Sequence, residues 1–153
     1  MTDYTCYFDG ACEPKNPGGN MGIGAIIFDK DGNEVVKLSH YVKAHPNNSN
    51  NVAEYQGFGW IITKLSEIMQ DGESAKIHGD SKLVIEQMKG NWQMKKGFYI
   101  QFATRAREIT QNLSKRCQIE LKWIPRAENE VCDSLSKAPM IANNVQFRIQ
   151  PNY

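Results

Sequence analysis

Four carboxylates are placed where they could do chemistry together. Asp9 closes one β-forming apolar run and Asp80 follows another, Glu54 opens a helical pattern, and Asp133 lies inside the last one. If the two runs lie side by side as parallel strands, Asp9 and Asp80 share their carboxyl edge, where open α/β sheets place ligands. Two carboxylates ~4 Å apart repel by roughly 4 kcal/mol at an effective dielectric of 20, so a cluster of four needs cations to stay ionised. All-oxygen ligation suits Mg²⁺ or Mn²⁺. A pair of such ions about 3.5–4 Å apart is the arrangement that activates a water and stabilises a leaving oxygen in phosphodiester hydrolysis. The chemistry these acids allow is that of a nuclease or a related phosphoryl-transfer enzyme.

Local roles compete with that reading at every position. Asp9 reads equally as a strand-end turn residue, Asp80 as the N-cap of a helix starting near Ser81, and Glu54 as the returning half of a capping box with Asn51. Asp133 has Lys137 four residues on, the spacing of a solvated helix pair.

The elements that must position the acids follow from periodicity. Tyr4 to Asp9 alternates in β-formers, and Gly10, Pro14, Pro17, Gly18 and Gly19 then break the pattern. Gly22 to Phe28 reads as a second strand, Asp31-Gly32-Asn33 as a hairpin turn, and Glu34 to Val42 as a third strand. Tyr55, Phe58, Ile62, Leu65 and Met69 recur at steps of three or four, a helix of about five turns. Ala75 to Gly79 is a short strand, Ser81 to Lys89 and Phe98 to Leu113 are helices, and Gln118 to Ile124 is the last strand. A closing helix runs from Glu128 to Ala138, stopped by Pro139. The expected fold is α/β: a mixed five-stranded sheet, three antiparallel strands then two parallel, with helices on both faces.

At 153 residues the chain suits one domain with a core that needs no staples. We place the domain at 1–140 and a C-terminal tail at 141–153, either frayed or packed as an irregular arm. The 18 basic and 17 acidic residues leave a formal charge of +1, so bulk charge announces no partner. Cys6, Cys12, Cys117 and Cys132 lie apart, with no C-x-x-C pair and no His at zinc spacing, which argues for reduced thiols rather than a zinc site. The N-terminus has no signal-peptide pattern and no apolar run reaches ~18 residues, so an intracellular protein, cytoplasmic or nucleoid-associated, off the membrane and monomeric is expected.

The local words around the acids carry more than their spacing. Tyr7-Phe8-Asp9-Gly10-Ala11-Cys12 with Asn16-Pro17-Gly18-Gly19, Asn50-Asn51-Val52-Ala53-Glu54, Gly79-Asp80-Ser81, and Glu128-Asn129-Glu130-Val131-Cys132-Asp133 occur in this order. Together they resemble the type 1 ribonuclease H family over roughly residues 4 to 138, and they are jointly specific although each is short. The resemblance implies a ribonuclease H-like fold and an endonuclease cutting the RNA strand of RNA–DNA hybrids. It further implies that Asp9, Glu54, Asp80 and Asp133 bind two Mg²⁺ ions, with Mn²⁺ as a substitute, and that cutting leaves 5′-phosphate and 3′-hydroxyl ends. Glu54 in such enzymes also touches a 2′-hydroxyl, the group that tells RNA from DNA. Gly10 and Ala11 would let backbone approach the RNA strand, Asn50, Asn51 and Ser81 look like minor-groove contacts, and Asn16 like a phosphate-side contact, against plain turn and cap roles for each.

Lys89, Trp92, Lys95, Lys96 and Phe98 interleave basic and aromatic groups, a surface suited to a phosphate backbone and stacking, with Trp92 the expected substrate contact and a Trp-anchored solvated loop the alternative. Longer bacterial members carry a basic protrusion here, and the interval from Gly90 to Phe98 is too short for one, so the chain resembles the shorter, archaeal-like type. It also lacks the His-bearing loop before the last acid. In Trp123-Ile124-Pro125-Arg126-Ala127-Glu128, Arg126 resembles the residue of the shorter members, placed to offset phosphate charge or assist product departure, against a salt bridge with Glu128 or Glu130. His78 falls on the face of Asp80, one pleat back, where packing is its expected role. A catalytically silent hybrid-binding module is disfavoured by the presence of all four acids. A polynucleotidyl transferase or exonuclease of the same fold is disfavoured by the lack of room for a further domain.

Overall fold

The computed structural model describes residues 2–148 and has the expected architecture. The chain runs β1 (Tyr4–Glu13), β2 (Asn20–Asp29), β3 (Glu34–Val42), α1 (Asn50–Ile68), β4 (Ser74–Gly79), α2 (Lys82–Lys89), α3 (Ile100–Ser114), β5 (Gln118–Trp123), a short 3-10 turn at Arg126–Glu128, and α4 (Glu130–Ala142). The sheet order is β3-β2-β1-β4-β5. β1 pairs antiparallel with β2 and β2 with β3, while β4 runs parallel to both β1 and β5.

β1 does not stop at Asp9. It continues to Glu13, paired with Asn20 of β2, because Pro14 to Gly19 close the hairpin and Gly10 does not break it. A Cβ on Gly10 would collide with the backbone of Ala53, so the missing side chain lets α1 cross close over the strand. This is a reason internal to the fold, distinct from the approach of RNA expected at Gly10. On the opposite face, Gly22 and Gly24 of β2 admit α4: a Cβ there would meet the carbonyls of Ser136 and Cys132. Ile23, whose side chain points the other way, lies against Gly57 of α1. Helices therefore cover both faces, and β2 is buried along most of its length.

The core joins Phe8, Ile23 and Ile27 of the sheet to Tyr55, Phe58, Ile61, Ile62 and Leu65 of α1, all less than 2 % exposed. The four cysteines are buried and free. Among the described residues no helix is long and apolar enough to cross a membrane.

Pro139 does not end α4, which runs on to Ala142. A proline inside a helix leaves the carbonyl four residues earlier without its amide partner. Here that carbonyl, Leu135 O, accepts the Ser39 hydroxyl of β3 at 2.7 Å, so the sheet supplies what the helix lacks. Ser39→Ala is expected to cost about 0.5–1 kcal/mol, the worth of one partly solvated hydrogen bond, read as a lower midpoint in urea unfolding with an unchanged slope. Beyond α4 the chain folds back: Phe147 is buried and Arg148 donates to Glu13 Oε2 and to the carbonyl of Cys12. The remainder of the tail, 149–153, lies outside the described residues.

Candidate active site

The parallel pairing of β1 and β4 ends at Phe8 and Gly79, so the next residues, Asp9 and Asp80, leave the sheet together at its carboxyl edge. Glu54 comes to them from α1. The N-cap of α1 is Ser49, whose hydroxyl accepts the Val52 amide, so Glu54 lies in the second turn rather than the first and no capping box with Asn51 forms. Its Oε1 instead accepts the Gly10 amide at 2.6 Å, and Gly10 N also donates to Asp9 Oδ1 at 2.9 Å. The cap of α2 is Ser81, which frees Asp80 of that role as well. Oxygens of Asp9, Glu54 and Asp80 lie within 4.8 Å of one another.

Asp133 stands in the first turn of α4, not in its interior, where a carboxylate is favoured by the helix dipole. Lys137 Nζ approaches its Oδ1 at 3.0 Å and Arg126 Nη2 at 3.6 Å. The helix-pair reading of Asp133 therefore has its contact, yet all three residues line the same cleft as the other acids. Arg126 meets Asp133 rather than Glu128 or Glu130.

The cleft has a volume of about 340 Å³ and is lined by the four acids together with Gly10, Ala11, Asn50, Asn51, Ser81 and Arg126 among others. Two residues named from the sequence lie elsewhere. Asn16 Oδ1 accepts the Asn50 amide while Asn50 Oδ1 accepts the Cys12 amide, so this pair latches the β1–β2 hairpin to the start of α1. Trp92, half exposed, follows the far end of α2, about 12 Å of helix from Ser81. His78 is packed, as expected: its Nδ1 is 3.0 Å from the Cys6 carbonyl and its ring stacks on Tyr7.

Sequence reasoning gave Asn129 no role. It is 2 % exposed, donates from Nδ2 to the Phe8 carbonyl at 2.8 Å and hydrogen-bonds the Asp80 carboxylate. It thereby ties the start of α4 to both acid-bearing strands. The sequence pattern starts the closing helix at Glu128 and so puts Asn129 inside it, whereas Arg126–Glu128 form a 3-10 turn and α4 starts at Glu130, leaving Asn129 at the N-cap position. Arg148 and Glu13, also on the cleft wall, were missed because the contact joins the two ends of the domain.

Burial dominates the electrostatics. Asp9 is pushed up to about 7, first by desolvation and then by the charges of Asp80 and Asp133, with its hydrogen bonds to Glu54 and Gly10 pulling the other way. Glu54 is raised well above the usual carboxylate range by burial and then by Asp9. Asp80 is raised by burial, against the opposing charge of Arg126. Glu54 Oε2 is buried with no hydrogen-bond partner. A hard, all-oxygen donor set with one orphaned oxygen fits a divalent cation, which would satisfy the orphan and offset the mutual repulsion of the carboxylates.

A mixed sheet of this order, with carboxylates gathered at the edge of its parallel strands, is a ribonuclease H fold. A family model described as reverse transcriptase-like matches residues 7–138, and the chain belongs to that family. The bifunctional protein Rv2228c of Mycobacterium tuberculosis is 34% identical over 128 residues, 83% of this chain but 33% of that protein. The structure of its N-terminal RNase H domain superposes with a TM-score of 0.75 at 26% identity, covering 88% of this chain and 96% of that one. RNase H1 of Halobacterium salinarum superposes with a TM-score of 0.75 at 26% identity, covering 91% and 98% of the two chains. The chain spans a third of Rv2228c and 60% of the Halobacterium ribonuclease HI sequence, which is 30% identical over 131 residues.

Proposed function

We propose that the chain is an endoribonuclease that hydrolyses the RNA strand of RNA–DNA hybrids with two Mg²⁺ ions, leaving 5′-phosphate and 3′-hydroxyl ends. The observation that carries this reading is the meeting of Asp9, Glu54 and Asp80 within 4.8 Å, with an unpartnered Glu54 oxygen among them. The similarity to proteins named ribonuclease HI and RNase H1 supports it. Asp9, Glu54, Asp80 and Asp133 would hold the ions, and Mn²⁺ would substitute. When bound, the ions supply Lewis acidity that lowers the proton affinity of the attacking water and offsets charge on the leaving 3′-oxygen.

The chain's own groups do the rest. The Gly10 amide, bonded to both Asp9 and Glu54, holds the two carboxylates in register. Asn129 fixes Asp80. Asn51, with Asn50, Gly10 and Ala11, forms the wall on which the minor groove of the hybrid lies, and the ribose 2′-hydroxyl is read beside Glu54. Ser81 lies on the same cleft. Arg126, mostly exposed and loosely paired with Asp133, offers its charge to the scissile phosphate or to the departing product. Trp92 with Lys95 forms a second contact area along the bound duplex, where stacking and phosphate attraction add affinity without reading sequence.

The test is cleavage of a labelled RNA strand annealed to DNA in Mg²⁺. Wild type is expected to cut and Asp80→Asn to be inactive within detection. No cutting by wild type, or cutting by Asp80→Asn at the wild-type rate, would overturn the assignment. RNA–RNA duplex and single-ribonucleotide junction substrates run beside the hybrid define strand preference.

A further inference from the structure

Gln87 is a buried amide on α2, 1 % exposed, outside the acid cleft. Its Oε1 accepts the Tyr55 hydroxyl at 2.6 Å. Its Nε2 donates to the Gln93 carbonyl and to the Tyr99 hydroxyl, each at 3.1 Å. The Tyr55 and Tyr99 rings stack with centroids 5.7 Å apart and planes within 6°. Arg107 of α3 closes the arrangement by donating to the Gln87 backbone carbonyl at 2.8 Å. One side chain thus joins α1, α2, the head of α3 and the irregular segment 91–99 between the last two.

A leucine or methionine would fill the same volume without burying an amide. Polar groups in such a place rigidify and specify one arrangement, and their bonds work only if all are made. Here all are made: the carbonyl oxygen has its hydroxyl donor and both amide hydrogens have acceptors. What they specify is the course of 91–99, since the Gln93 backbone lies near its start, directly after Trp92, and Tyr99 at its end. Gln87, Trp92, Lys95 and Tyr99 line one recess of about 490 Å³. Trp92 is 45 % exposed, so part of this large apolar residue is left uncovered by the rest of the fold.

We propose that Gln87 is a positioning residue for substrate: its amide sets the path of segment 91–99 so that Trp92 and Lys95 face the bound duplex away from the cut. This rests on the reading of Trp92 under Proposed function. The residue touches no reacting atom, and its effect travels through Trp92.

Gln87→Met keeps the volume and removes the bonds. With a hybrid of about 18 base pairs it is expected to raise KM about fivefold with kcat within twofold, the signature of lost uniform binding. A hybrid too short to reach Trp92 is expected to be cut with wild-type kinetics. Combining Gln87→Met with Trp92→Ala is expected to raise KM no further than Trp92→Ala alone, because both act through one contact. Tyr99→Phe, which removes a single hydroxyl from the network, is expected to shift KM in the same direction by about twofold, and it carries the test if Gln87→Met fails to fold. Equal losses on long and short hybrids, a fall in kcat instead of a rise in KM, or additive effects would overturn the proposal. Fluorescence anisotropy of the labelled long hybrid in Ca²⁺ gives the same contrast as a Kd ratio. A wild type that binds hybrid without cutting it would refute the proposed function alone, and a Gln87→Met protein that binds the long hybrid like wild type would refute the positioning role alone.

Discussion

Glu54→Gln is expected to lower kcat/KM on an RNA–DNA hybrid by about 10³-fold or more, the scale on which loss of a preorganised electrostatic group acts, while making the metal-free protein harder to melt. Glutamine keeps the carbonyl oxygen that accepts the Gly10 amide, so the close approach of α1 to β1 survives. What goes is a carboxylate buried beside two others. Free of cation, that group destabilises the fold by desolvation and by the charge of Asp9. Its removal should add stability on the order of 1 kcal/mol, or about 2–4 °C for a domain of this size. Activity within tenfold of wild type would remove Glu54 from the chemistry. A lower melting temperature would show that the acids do not strain the metal-free fold.

The same strain makes metal and pH interact. Asp9 is raised to about 7 and Glu54 is raised as well, each foremost by burial. A carboxyl whose folded pKa lies above its unfolded value contributes stability that is fully present below the unfolded pKa and is lost as pH rises through the folded one. In EDTA the melting temperature should therefore decline from about pH 4 to about pH 7 through Asp9, with Glu54 adding a loss in the same direction. Mg²⁺ binds the ionised cluster and stabilises the folded state in proportion to its occupancy. The rise in melting temperature on adding millimolar Mg²⁺ is expected to be several degrees at pH 8, to vanish near pH 5 where protons compete, and to be much reduced at pH 8 in Glu54→Gln. A rise of equal size at pH 5 and pH 8, or none at pH 8, would separate the acids from cation binding.

Much of the fold is legible in local pattern. Glu34 to Val42, following the Asp31-Gly32-Asn33 turn, is β3, and the three-and-four spacing of Tyr55, Phe58, Ile62 and Leu65 is α1. From the parallel pairing alone Asp9 and Asp80 had to meet, since strand polarity determines which edge a residue leaves by. Glu54 and Asp133 were legible only through the words around them, because their positions depend on how α1 and α4 cross the sheet. Those crossings are set by glycines: Gly10 under Ala53, and Gly22 and Gly24 under Ser136 and Cys132. Read along the chain, Gly10 looks like a strand breaker and Pro139 like a helix stop. Each is tolerated by a partner distant in sequence, the backbone of α1 for one and the Ser39 hydroxyl for the other. Asn129 escaped for the same reason, with its bond to Phe8 spanning 121 residues. Trp92 was read as a substrate contact from its basic and aromatic neighbours, and nothing in that local pattern places it at the far end of α2 from the acids.

The central claim is that these carboxylates hold cations that direct water, rather than the neighbouring 2′-hydroxyl, at the phosphate. End-group analysis of the RNA fragments from a labelled hybrid cut in Mg²⁺ tests this most directly. The account predicts 5′-phosphate and 3′-hydroxyl termini, formed only with divalent metal and about 10³-fold or more slowly with Glu54→Gln. Fragments ending in 2′,3′-cyclic phosphate, or cutting that persists in EDTA, would contradict it.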